Sequence, residues 1–65
     1  MLKVGVLGAG HLGKIHLRLL QESKKFELVG FYDPSIENSK NVALESGYTS
    51  FSSLASLIDA VDVID

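Results

Sequence analysis

Apolar residues along this chain fall into short blocks whose period changes from one to the next. Residues 2–7, LKVGVL, are a branched apolar run bounded by glycine, which predicts a buried strand. Residues 11–23 switch to helical spacing, with Leu12, Ile15, His16, Leu19 and Leu20 on one stripe and Lys14, Arg18, Gln21 and Glu22 on the other side. Residues 26–32, FELVGFY, are aromatic and β-branched and predict a second strand, which Asp33-Pro34-Ser35 ends. A weaker helix is predicted over 36–46, with Ile36, Val42 and Ala43 inward and Gly47 as its stop. YTSF at 48–51 predicts a short strand. Ser52 or Ser53 then caps a helix over 53–60, whose stripe is Leu54, Leu57, Ile58 and Val61. DVID at 62–65 predicts a fourth strand.

The order β-α-β-α-β-α-β defines an α/β protein with a parallel sheet. Right-handed crossovers make it a partial Rossmann arrangement, doubly wound, with strand order 3-2-1-4. The first two helices then cover one face and the third covers the other alone. That face is left half bare and the fourth strand offers an open edge, an arrangement that complete domains avoid. The 65 residues include no cysteine to staple so small a core. The expectation is therefore that residues 1–65 are the N-terminal part of a dinucleotide-binding domain, with its remainder and a substrate domain outside them.

Composition narrows the function. With 46% hydrophobic and 22% charged residues, the chain is globular rather than disordered. A formal charge of −2 and the lack of a basic stripe argue against a nucleic-acid partner. No apolar run reaches the ~20 residues of a membrane span, so no membrane partner is expected. The apolar start has a single lysine and a glycine set where a signal peptide would be cleaved, and it is read as a strand. A cytoplasmic location is expected.

The candidate chemistry lies in GVLGAGHLGKIH, residues 5–16. Gly8, Gly10 and Gly13 follow a strand and open a helix. Gly8 suits a tight turn, Gly10 lets backbone approach a pyrophosphate, and Ala9 is small, as that approach needs. Gly13 stands inside a helix, where glycine costs about 0.5–1 kcal/mol relative to alanine, so close helix–strand packing is expected there. The free N–H groups near residues 10–13 would meet a pyrophosphate. Asp33 stands 20 positions after Gly13, at the end of the second strand, where a carboxylate accepts hydrogen bonds from the adenine ribose. A 2′-phosphate would meet that carboxylate, and neither Pro34 nor Ser35 offers a cation, so NAD is favoured over NADP. The bland alternative is that Asp33 only opens an Asp-Pro turn. The His11 side chain is read as solvated and His16 as a packing residue rather than a metal ligand. Gly30 is read as a site of close helix or adenine packing. No catalytic residue and no metal site is expected within these residues.

VGVLGAGHLGKIHLRLL, then FELVGFYDPS, then ESGYTSFSSLASLIDAVDVID make the chain resemble the N-terminal part of the Gfo/Idh/MocA family, of the glucose–fructose oxidoreductase and inositol dehydrogenase type. The resemblance implies an NAD(P)-dependent oxidoreductase, a dehydrogenase acting on a sugar or polyol substrate, homo-oligomeric when full length. It implies pyrophosphate contacts at Gly8, Gly10, His11, Leu12 and Gly13, and a ribose contact at Asp33. It also implies that the catalytic Glu-Lys-Pro motif and the substrate domain lie beyond residue 65. Two other classes stay open: a non-enzymatic NAD-sensing module, which uses the same glycine turn, and an adenosyl-cofactor methyltransferase, which needs no pyrophosphate cradle.

Overall fold

A computed structural model of the chain describes residues 1–65. Its elements are β1 (Leu2–Leu7), α1 (His11–Glu22), β2 (Phe26–Tyr32), α2 (Ile36–Ser46), α3 (Leu54–Ala60) and β3 (Val63–Ile64). Local chemistry sets most of their ends. Ser35 caps α2 by accepting from the Asn38 N–H, and Ser53 caps α3 by accepting from the Ser56 N–H. Gly47 closes α2 in the left-handed region, with φ of 76°, and donates its N–H to Ala43. No helix is long and apolar enough to cross a membrane.

The sheet has three parallel strands in the order β2-β1-β3, fewer than the four expected. Residues 48–51 do not form a strand. One parallel bridge, Phe31 to Ser50, attaches them to the outer edge of β2. There the Phe31 N–H donates to Thr49 O at 2.9 Å and the Phe51 N–H donates to Phe31 O at 2.8 Å. The Gly47 turn and the Ser53 cap stand so close together that only this one rung fits between them. The order 3-2-1-4 is therefore not built as a four-strand ladder. Gly30 serves this bridge rather than a helix or an adenine: a Cβ there would lie 2.5 Å from Thr49 O. The last strand is also shorter than the predicted 62–65, although backbone bonds from Asp62 and Asp65 continue beside it.

The core lies between the sheet and the first two helices. Val6 of β1, Ala9, Leu17 of α1, Phe31 of β2 and Val42 of α2 form one buried cluster, and Leu28 packs against it. α3 lies on the opposite face, where Leu57 fills the space above Gly5; a Cβ at Gly5 would meet the Leu57 side chain at 2.7 Å. This agrees with the expected sidedness. A bulge interrupts the pairing of β1 and β2: Val4 pairs with Leu28, but Gly5 pairs with Gly30, which leaves Val29 as the extra residue.

The helix faces differ from their predicted stripes. In α1, Leu17 is fully buried, while Leu12 is 70% exposed and Leu19 is 58% exposed. The apolar arc of this helix spans roughly half its circumference, and the helix rests on the edge where Phe31 and Val42 offer partners. Leu12 and Leu19 stand on the open side, and Leu19 helps Leu2, Phe26 and Ile64 line an apolar trough. His16 is not a packing residue. It is exposed, and its Nδ1 lies 2.6 Å from Asp65 Oδ2, joining α1 to the end of β3. In α2, Ile36 is exposed at the first position, and Ser39 takes a buried place beside Val42.

Gly13 is the tightest point of the fold. A Cβ there would overlap the carbonyl oxygen of Gly8, with the carbonyl carbon 2.9 Å away. Backbone, unlike a flexible side chain, has little room to yield. Gly13→Ala should therefore lower stability by about 1–3 kcal/mol, read as a clear fall in melting temperature. A variant melting with the parent chain would contradict the close approach.

Candidate functional site

Two chain segments converge where β1 and β2 end. The first is the turn Gly8-Ala9-Gly10, which carries the chain from β1 into α1. Gly8 has φ of 83°, a value that L side chains rarely adopt, and its N–H donates to Tyr32 O at 2.8 Å. Ala9 is completely buried in the core cluster, so a larger side chain has no room. Gly10 is the helix N-cap and lends no side chain to capping. A Cβ at Gly10 would meet nothing within 4 Å, so the space in front of the turn is open.

The first intrahelical hydrogen bond of α1 runs from Lys14 N–H to Gly10 O at 2.9 Å. The N–H groups of His11, Leu12 and Gly13 precede it and have no carbonyl one turn back to bond. No acidic residue in the first turn competes for them. They add their partial positive charge to the end of the helix dipole, which suits an anion. The Leu12 side chain is directed to the open flank, so its backbone is the part available to this site. The His11 side chain is exposed, as expected.

The second segment is Asp33 through Ser39. The Asp33 carboxylate is the point of attachment between the two. Its Oδ2 accepts from the Ala9 N–H at 2.7 Å and from Asn38 Nδ2 at 3.2 Å. Its Oδ1 accepts from the Ser35 N–H at 2.8 Å, closing the turn that the Asp-Pro-Ser sequence suggested. Asn38 Nδ2 also donates to Ala9 O at 3.0 Å, and Ser39 Oγ donates to the Asp33 carbonyl at 3.1 Å. The turn reading of Asp33 and its place beside the glycine loop thus hold together, because a carboxylate offers about four acceptor positions and the protein uses three.

Hydrogen bonds from the Ala9 and Ser35 amides hold the Asp33 carboxyl below its ordinary range, and Asn38 adds to them against the opposing effect of burial. No lysine or arginine pairs with it, although Lys40 lines the same shallow groove. Of the seven residues singled out from the sequence, Gly8 to Gly13 form one continuous turn and helix start, and the Ala9 N–H ties that segment to the Asp33 carboxylate. Asn38 was missed. Its signal was Ser-x-x-Asn directly after Asp-Pro: a residue three after a serine N-cap directs its side chain back toward the helix start.

The arrangement fits a dinucleotide. The turn leaves room before Gly10, the helix start holds unbonded N–H groups, and a fixed carboxylate stands at the end of the neighbouring strand. Comparison with known proteins agrees. Residues 2–65 match the family model described as the oxidoreductase family with an NAD-binding Rossmann fold, and the chain belongs to this Gfo/Idh/MocA family. It is 38% identical over 60 residues to glucose-6-phosphate 3-dehydrogenase of Bacillus subtilis (strain 168), covering 92% of this chain and 17% of that protein. It is 35% identical over 60 residues to L-aspartate dehydrogenase of Methanococcus maripaludis (strain C5), covering 89% of this chain and 22% of that one. Among solved structures, UDP-N-acetylglucosamine 3-dehydrogenase GnnA from Acidithiobacillus ferrooxidans superposes with a TM-score of 0.85 at 32% identity, over 97% of this chain and 20% of that chain. The chain thus spans about a fifth of the length of these proteins.

The lowered Asp33 pKa has a signed consequence. A carboxyl whose folded value lies below its unfolded value adds stability above the unfolded pKa, and that stability is lost as pH falls through the folded value. Asp33→Asn should therefore melt below the parent chain at neutral pH, and the gap should close as pH falls below the ordinary value of 3.8. Thermal melts of both chains across that range check it; a gap constant with pH would contradict the assigned hydrogen bonds.

Proposed function

We propose that this chain is the cofactor-binding part of a dehydrogenase that uses NAD in preference to NADP and oxidises a hydroxyl of a sugar-type or polyol substrate. The observation that carries the cofactor preference is the Asp33 carboxylate, tied at 2.7 Å to the Ala9 N–H and paired with no cation. Oδ1 keeps an acceptor position for a ribose hydroxyl. The same negative charge opposes a 2′-phosphate. The N–H groups of Gly10 to Gly13 would receive the pyrophosphate, with Gly8 setting the turn and Ala9 keeping it low against the core. The nicotinamide of the bound cofactor would exchange a hydride with the substrate carbon. The residues described here hold the cofactor and leave substrate binding and proton transfer to a further domain.

Two features support the larger protein. The chain covers 17% to 22% of its curated relatives. The apolar trough beside α1 and β3 leaves Leu2, Leu19 and Ile64 open, whereas parallel sheets are normally covered on both faces. The sugar reading rests on two relatives named for oxidation of a hexose derivative at position 3, the glucose-6-phosphate and UDP-N-acetylglucosamine enzymes. A cytoplasmic homo-oligomer completes the reading.

The test has two parts. In the protein carrying this chain, Asp33→Ala should weaken NAD by about tenfold, the size of a hydrogen bond to a charged group, and weaken NADP less. Equal losses would remove Asp33 from ribose recognition. NADH formation with a panel of hexoses, sugar phosphates and cyclitols should then identify a substrate. Turnover of L-aspartate alone would redirect the substrate class, and NAD binding with no turnover would favour a sensing module.

A further inference from the structure

Asp33 does not hold its position unaided. Asn38 stands at the third position of α2, and its side-chain amide spans the two segments of the site. Nδ2 donates at 3.0 Å to Ala9 O on the glycine turn and at 3.2 Å to Asp33 Oδ2 at the end of β2. Both partners are acceptors only, so the amide nitrogen must face them. The Asn38 backbone is itself fixed, since its N–H donates to the Ser35 cap at 3.2 Å. Asn38 is therefore anchored at its own helix start and holds both ends of the Ala9–Asp33 contact. With Ala9 and Asn38 on Oδ2, that oxygen is fully engaged. The single open acceptor position is on Oδ1, beside the Ser35 amide.

We propose that Asn38 is a positioning residue for cofactor discrimination: it holds the Asp33 carboxylate so that Oδ1 alone is presented to the ribose. This rests on the NAD reading above and adds to it the residue that sets the preference. A clamped carboxylate accepts the 2′-hydroxyl without reorientation and cannot swing away from a 2′-phosphate. An unclamped one loses part of the first and tolerates more of the second. The pyrophosphate end of the site is shared by both cofactors, so loosening of the glycine turn weakens both equally. The ratio of NAD to NADP affinity isolates the clamp from that common loss.

The experiment measures NAD and NADP affinity in the protein carrying this chain, for the parent, Asn38→Ala, Asp33→Ala and the double variant, with a melting temperature for each. Asn38→Ala should weaken NAD three- to tenfold and NADP by a smaller factor. In the Asp33→Ala background the Asn38→Ala change should leave the NAD to NADP ratio where it was, because the carboxylate it orients is gone. Should Asn38→Ala unfold the protein, Asn38→Leu serves in its place: it keeps the size and removes the donor without adding charge beside Asp33, so the ratio should fall as for Asn38→Ala. Equal weakening of both cofactors, a melting change with unaltered affinities, or the same ratio shift with and without Asp33 each overturn the proposal while the NAD reading stands. A parent protein that binds neither cofactor overturns both.

Discussion

The hydrogen bond from the Ala9 amide to the Asp33 carboxylate is the contact on which this small domain turns. Two strands end side by side there, and two helices begin. A glycine turn with φ of 83° at Gly8 has little conformational preference of its own, and only one other backbone bond, from Gly8 to Tyr32, holds its first half. A charge-assisted bond, worth about 1.5–3 kcal/mol, supplies the missing constraint. It fixes where α1 starts relative to β2, and so fixes where the unbonded N–H groups of the helix are aimed. The carboxylate proposed to receive a ribose is thus also the strut that fixes the glycine turn ahead of α1. On the proposed reading, stability and cofactor choice are coupled at one side chain, and Asn38 extends that coupling to the first turn of α2.

Much of this was legible because local rules and the fold agree. β1, β2 and α2 coincide with their sequence patterns, since each is bounded by a strong stop: glycine after β1, Asp-Pro-Ser after β2, Gly47 after α2. The glycine set with an acid 20 residues on could be read because both the turn and the acid answer to the same backbone geometry. The segment 48–51 could not. Its composition is that of a strand, but a left-handed glycine before it and a serine cap after it leave one rung of pairing.

The facing of α1 was illegible for a different reason. Its apolar arc is too wide to show which edge bears on the sheet, and Leu17, outside the expected stripe, is the residue that fills the core. Which apolar flank stays exposed depends on what packs beside it, which periodicity does not encode. Asn38 was illegible because its role is a rotamer and two distances. A polar residue on the first turn of a helix is ordinarily unremarkable, and only the folded position of Asp33 gives it work to do.

The bulge at Val29 bears on all of this through parity. Side chains of a strand alternate, so Leu28 and Phe31 should face opposite sides, yet both pack toward α1 and α2. The extra residue inverts the phase of β2 midway. Phe31, and Asp33 two residues later, inherit the inverted phase and turn toward the glycine loop. In an unbroken strand of the same length, the carboxylate would point away from Ala9. The interval between glycine and acid is therefore more than a ruler's length: it carries one uncounted half-turn, and that half-turn decides on which side of the sheet the acid can act.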